Sequence, residues 1–570
     1  MKIHKIFFLI VLTFYYASGF AQKSTPETII TTPSDTTKPK PPTEVKPEPE
    51  SPKIELPDVL ILGKDQYHRT VKEKKELTPE TPALMQRETS YEPPSAWFSA
   101  EDSKPQLTED DSLIVRQIWG KVRGGTYYTV EGDGGYWQKL PQGDVLGTVW
   151  FDRSEGQFAN TKYAQGGLSG KFSYDAAPNA VTIARAEYNR YGRGLHSSFN
   201  TDNAVRTAGT GLFAVDLQYD INKLSDGNIG AEIGGLSMAS DSSGANIDRT
   251  DNMYYDLHFD YTTQIKKTQL TARGRYVRET LESKLDSTST KSIFSTLGVE
   301  LLQPISNLVT AAFGADYHIF HQDTLYSRSR LSPYARINIM PGDQIGISLH
   351  VSTGLKYDTF VQNWEHNYYL SHSLPLLPSE ERLGLSVKGD VKITDKIKFQ
   401  GSYSQSWMGD MYFWQADTLN GLLALNPIDK ADLGEIQLGV TAKVSDKTHV
   451  QISYIDYSDE ISGTEESSLS NLNRLPYRAD FRMPVRASIQ LLPELNLTLT
   501  ADVVGDRKKH INQNKTLPAY GLIHADLTAK VTDNISALLS VRNLLDANYV
   551  IWENFPEMGV VILGGVRARF

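Results

Sequence analysis

The last thirteen residues, Met558 to Phe570, alternate with a period of two and end on an aromatic. Phe570, Ala568, Val566, Gly564, Ile562 and Val560 share one face, while Arg569, Arg567, Gly565 and Leu563 share the other. A strand with lipid on one side and a watery lumen on the other requires this dyad pattern. It recurs in a hairpin whose first arm sets Leu383, Leu385, Val387, Gly389, Val391 and Ile393 against Ser386, Lys388, Asp390 and Lys392. After a turn at Thr394-Asp395-Lys396, Ile397, Phe399, Gly401 and Tyr403 oppose Lys398, Gln400, Ser402 and Ser404. Leu495 to Val503, Ile523 to Val531 and Ile535 to Val541 repeat the pattern, with His524, Asp526 and Lys530 among the polar partners.

A β-sandwich core could explain any one of these strands, so the connections decide. Short turns at Asp175–Asn179, Lys223–Gly227, Lys266–Thr268, Pro341–Asp343, Thr394–Lys396, Ser445–Lys447, Pro493–Leu495 and Thr532–Asn534 alternate with longer polar links at 189–209, 238–252, 357–380, 407–431 and 459–477. Tight turns on one side and long loops on the other are the asymmetry of an outer-membrane barrel. The count is about 20 strands from Asp144 to Phe570, with two more over Gly120–Leu140. The predicted fold is therefore an all-β, transmembrane, antiparallel up-and-down barrel of about 22 strands over residues 119–570.

The N-terminal part reads differently. Lys2 and Lys5 precede an apolar stretch, Ile6 to Leu12, and Gly19 and Ala21 supply small residues for cleavage before Gln22, which predicts a signal peptide over 1–21. No apolar run approaches the roughly 20 residues of a membrane helix, so strands must hold the chain in a membrane. Residues 22–57 are rich in Pro, Thr, Lys and Glu and predict a periplasmic linker. Residues 58–118 predict little structure of their own and form a possible lumen insert, with Trp97 and Phe98 as its natural contacts.

Composition narrows the chemistry. With no cysteine, the chain has no disulfides, thiolate metal sites or cysteine nucleophile. The net charge of -10 disfavours nucleic acid as a partner. The 42 glycines and 29 tyrosines suit a sheet-rich chain with interfacial aromatics.

The C-terminal motifs resemble a family. Ala519-Tyr520-Gly521 opens one strand, Val541-Arg542-Asn543-Leu544-Leu545-Asp546 ends the next, Tyr549 follows, and Gly564-Gly565-Val566-Arg567-Ala568-Arg569-Phe570 closes the chain. This run is similar to the barrel end of TonB-dependent receptors, with Leu545 where Phe is usual. Ser332-Pro333-Tyr334-Ala335-Arg336 and Leu374 to Glu380 also resemble the mid-barrel pattern. The resemblance implies an outer-membrane location, lipid and envelope-protein partners, and a TonB-type energiser. It also implies a plug domain, and here the chain departs from it: Leu56 to Gly63 resembles the segment before a plug, yet only residues 64–118 precede the barrel. The expectation is a plugless barrel whose lumen is filled by residues 58–118, by the outer loops or by a partner.

No catalytic, cofactor-binding or metal-binding residue is predicted. Walker, HExxH and nucleophile-elbow motifs are absent from the sequence. His318 and His321 point to opposite faces of a strand, and Asp316 with His318 gives only two ligands. Asp241 to Asp248 with Asp251 lacks the order of an EF-hand loop and reads as a surface loop. Trp407 to Trp414, with Trp364, His366, Tyr368 and Tyr369 on the preceding link, predicts an aromatic girdle or a recognition patch, the girdle preferred. The expected function is non-enzymatic transport or uptake across the outer membrane. The alternative is a structural or assembly component that binds partners through its loops or periplasmic tail.

Overall fold

The computed structural model describes residues 116–570, apart from 159–160, 196–204, 223, 243–244, 285–286, 324–325, 343, 373–376, 417–421, 463–473 and 511–514. The expected signal peptide, the expected linker and residues 58–115, with Trp97 and Phe98, lie outside the described residues.

Twenty-two strands form one sheet in which each pairs antiparallel with its neighbours in sequence. The first, Arg116–Gly125, pairs with the last, Val561–Arg569, from Trp119 opposite Arg569 to Gly125 opposite Leu563. The sheet is thus closed, and no backbone edge meets hydrocarbon. At this seam a Cβ on Gly125 would lie 1.7 Å from the Ile562 carbonyl oxygen, and one on Gly565 would lie 2.0 Å from that of Val122. Only glycine lets the two terminal strands approach this closely.

The outward face carries the expected apolar series. Leu257, Phe259, Leu297, Val299, Leu301 and Phe313 are each between 42% and 59% exposed. Water would penalise that surface by about 25 cal/mol per Å²; lipid requires it. This closed barrel with an apolar outer belt belongs in the outer membrane.

Strand lengths correct the sequence reading in one respect. A tilted membrane strand needs about 9–11 residues, whereas Ala245–Ile265 has 21, Ile397–Ala416 has 20 and Leu423–Ser445 has 23. The expected long links at 238–252 and 407–431 are therefore largely strand, and the hairpin between Ser225–Ser242 and Ala245–Ile265 turns within two residues. The link at 189–209 also shortens, because its flanking strands run on to Gly194 and start at Val205. These strands project past the membrane on the side of the long loops. Their outward residues there meet water, so the alternation that betrays a membrane strand is no longer required.

Candidate functional site: links folded onto the inner wall

The inner wall has two zones. Toward the short turns it is a ladder of charges joined across neighbouring strands. Arg185 and His258 both reach Asp216 at 3.0 Å, Arg275 reaches Asp256 at 2.6 Å, Arg273 reaches Asp316 at 2.7 Å and Arg336 reaches Glu300 at 3.5 Å. A water-filled channel wall needs polar side chains of this kind.

Toward the loops the inward positions become apolar. Ala208, Leu236, Met238, Tyr254, Val277, Leu281, Phe294 and Phe320 are buried together on the inner face of six consecutive strands. What covers them is the link between Lys356 and Ser379. It folds into the barrel and forms the short helix α1, Phe360–His366. A capping box starts the helix: Gln362 N–H donates to Thr359 Oγ1 at 3.3 Å and Thr359 N–H to Gln362 Oε1 at 2.8 Å. Phe360, Trp364 and Leu370 are 0–2% exposed against the apolar wall. Such side chains each contribute roughly 1.5–3 kcal/mol on full burial. Tyr357 sits between Phe294 and Phe320, with ring centroids 5.6 and 5.3 Å away.

Three polar anchors fix this link to the wall. The buried Glu279 carboxylate accepts from Asn252 Nδ2 at 2.7 Å, from the Phe360 backbone N–H at 2.7 Å and from the Tyr357 hydroxyl. Arg206 Nη1 donates to the carbonyls of Leu370 at 2.6 Å and Tyr368 at 3.2 Å. The His372 ring nitrogens meet Ser240 Oγ at 2.7 Å and Thr250 Oγ1 at 3.0 Å. Burial, with the nearby Arg206 charge, lowers the His372 pKa to about 3, so this anchor is a neutral imidazole at physiological pH.

A second lobe comes from the link between Arg542 and Val561, which carries the receptor-like motif. Asn543, at φ 48°, bends the chain inward. Its Oδ1 accepts from Ala547 N–H at 2.9 Å, and its Nδ2 donates to the carbonyls of Ala547 at 2.9 Å and Met558 at 3.2 Å. Asp546 Oδ1 accepts from Val560 N–H at 3.0 Å. The motif is therefore a scaffold for a loop, and it carries Phe555 onto Tyr369 of the first lobe with ring centroids 3.6 Å apart. Trp552 meets Trp414 at 6.5 Å and Tyr477 at 4.9 Å. Burial raises the Glu557 carboxyl to a pKa of about 7, opposed by Arg193.

These contacts revise the aromatic-girdle expectation. Trp407 to Trp414 lies within the strand Ile397–Ala416, and its Met408 and Phe413 join Ile428, Leu433, Ile461 and Leu475 in a third buried cluster. Trp364 is buried inside the barrel. The other flagged residues are dispersed. Asp316 is taken by Arg273, and His318 Nδ1 meets Thr296 Oγ1 at 3.0 Å. His321 is exposed, and Asp251 is held by Ser237 and Arg249 at 2.7 and 2.9 Å. Sequence reasoning missed Glu279, Arg206 and His372. Their only signal was the run of aromatics in the link they hold.

The fold and the site thus define an outer-membrane β-barrel with a charged inner wall and two of its links folded inward against the loop-side wall. No family profile and no curated protein matches the sequence. Among solved structures, the siderophore receptor PiuA from Acinetobacter baumannii is similar at a TM-score of 0.65 and 12% identity, over 80% of this chain and 82% of that one. The FrpB iron transporter from Neisseria meningitidis (F5-1 variant) gives 0.66 and 11%, over 80% and 82%. The copper transporter OprC gives 0.66 and 9%, over 80% of both. The chain has the barrel fold of TonB-dependent receptors.

Proposed function

We propose that the chain is a gated transport barrel, a polar conduit across the outer membrane that its loops hold shut on the outer side until cargo displaces them. The division of the inner wall carries this reading. A charged lining suits solute passage, and the separately seated link between Lys356 and Ser379 suits a stopper that can leave without unfolding the barrel. The likeness in fold to proteins named for siderophore, iron and copper transport supports it. Energised import through a TonB-type partner is the finer form of the proposal.

Planar-bilayer recording tests the gate. Full-length protein should conduct little, and replacement of residues 360–372 by a Gly-Ser linker should raise conductance several-fold while the barrel keeps its melting behaviour. Equal conductance in both would reject the loops as the closure. A stable envelope partner that copurifies and is lost with the loops, with conductance unmoved, would favour the assembly role. Cargo uptake abolished by a proton-motive-force uncoupler would support the energised form.

A further inference from the structure

The outward face also carries charge at the loop-side edge of its apolar belt. Three basic residues surround Ile293 there. Arg278 and His321 lie directly opposite Ile293 on the two flanking strands, and Lys291 is the next outward residue along its own strand. All three are exposed, and the sheet spacing sets them roughly 5–8 Å apart in neighbouring pairs. Arg249 and Arg275, by contrast, are neutralised, by Asp251 and Asp256. Among the described residues no carboxylate pairs with the side chain of Arg278 or Lys291, and Asp323 accepts instead from the Lys291 backbone N–H at 3.2 Å.

On the turn side of this triad the surface is indented. A depression of about 710 Å³ lies between Leu217, Ile229, Leu257, Phe259, Tyr276 and Leu297, within the roughly 300–1,000 Å³ of small-molecule sites. Its shape depends on Gly274. A Cβ there would lie 2.2 Å from the Phe259 ring, so glycine lets that ring lie flat across the strand. An apolar trough running into the bilayer, with two unneutralised cations at its loop-side end, matches an amphiphile that has an anionic head and a hydrocarbon tail.

We propose that this face is a binding site for a phosphorylated, acylated glycolipid of the outer leaflet, with a phosphate between Arg278 and Lys291 and an acyl chain in the trough. The loop-side position of the cations selects the outer leaflet, and the trough selects a lipid over a free phosphate.

The test uses the full-length barrel in lipid nanodiscs doped with diphosphorylated lipid A, the same lipid dephosphorylated, or phosphatidylglycerol, with retained lipid counted by native mass spectrometry. The Arg278→Glu/Lys291→Glu variant should retain about tenfold less diphosphorylated lipid A, as expected for losing two charge-assisted contacts, and the same small amount of the dephosphorylated lipid. A second variant, Gly274→Leu, should lift the Phe259 ring, fill the trough and lower retention with the cations intact. Retention unchanged in both folded variants would overturn the proposal. Equal retention of phosphatidylglycerol and lipid A by the parent protein would overturn the glycolipid assignment.

Discussion

The two zones of the inner wall are made from the same strands and differ only in what they face. Near the short turns, Arg185, Asp216, Arg273 and Asp316 face the lumen and keep side-chain exposures from 10% to 45%. A few residues toward the loops, on the same face of the same strands, Ala208, Leu236, Met238 and Val277 are 0–4% exposed because a folded link sits on them. The comparison teaches that lumen polarity in a barrel reports occupancy. Where water fills the space the wall is charged, and where protein fills it the wall is a core, with the packing costs of a core.

Substitution in the seated zone should therefore behave like core mutagenesis. Trp364→Ala removes the largest ring from the stopper and should weaken its docking by about 3–5 kcal/mol. Hydrogen exchange over Phe360–His366 should lose its protection while the barrel strands keep theirs. If the whole barrel melted together with α1, the two zones would be one cooperative unit and the contrast would fail.

Glu279 probes the polar side of the same seat. Glu279→Ala leaves Asn252, Tyr357 and the Phe360 N–H without their acceptor, a loss of about 2–3 kcal/mol for groups that stay buried. Glu279→Gln keeps one carbonyl oxygen and should cost less. Exchange rates of the α1 amides in the two variants, compared with the parent, provide the measurement.

The loops should also respond to pH, led by two groups of opposite sign. Burial raises Glu557 from 4.5 to about 7, so its contribution is present below pH 4.5 and is lost as pH rises toward 7. His372 is lowered from 6.5 to about 3, so its contribution is present above pH 6.5 and is lost as pH falls toward 3. Between the ordinary values of 4.5 and 6.5 the two slopes oppose each other and stopper stability should be nearly flat. Below pH 4.5 the histidine slope is no longer offset, and docking should weaken by about 1 kcal/mol by pH 3.5. Conductance against pH should show this opening, and His372→Gln, which cannot gain a proton there, should reduce it.

The contrast between zones also explains what the sequence disclosed. Leu383, Val387, Val391, Phe399 and Tyr403 announced a membrane hairpin because lipid imposes an apolar outward face, and all five are exposed at 37–45%. The closure of the barrel and its strand number followed from such repeats. The projecting strands were hidden because Asp241 to Asp251 is mostly polar, with only Ala245 and Ile247 apolar, as a loop would be, once neither face needs lipid. The stopper was hidden for a different reason. Leu236, Met238, Leu281 and Phe320 face inward, and only the position of a loop far along the chain makes an inward apolar residue sensible.

The smallest expected effect lies in the other zone and completes the contrast. Asp216 accepts from Arg185 and His258, each at 3.0 Å, which in a protein core would be a costly pair to break. Here the Arg185 side chain is 45% exposed to the lumen, so water can replace the lost partner and Asp216→Ala should change barrel stability by under about 1 kcal/mol. Its effect should appear instead in the open pore. Removing one negative charge from the wall should reduce cation preference in reversal-potential measurements on the protein lacking residues 360–372, and should leave the closed parent unchanged. A large loss of stability from Asp216→Ala would mean that the turn-side wall is packed and dry, and the distinction between conduit and stopper would no longer hold.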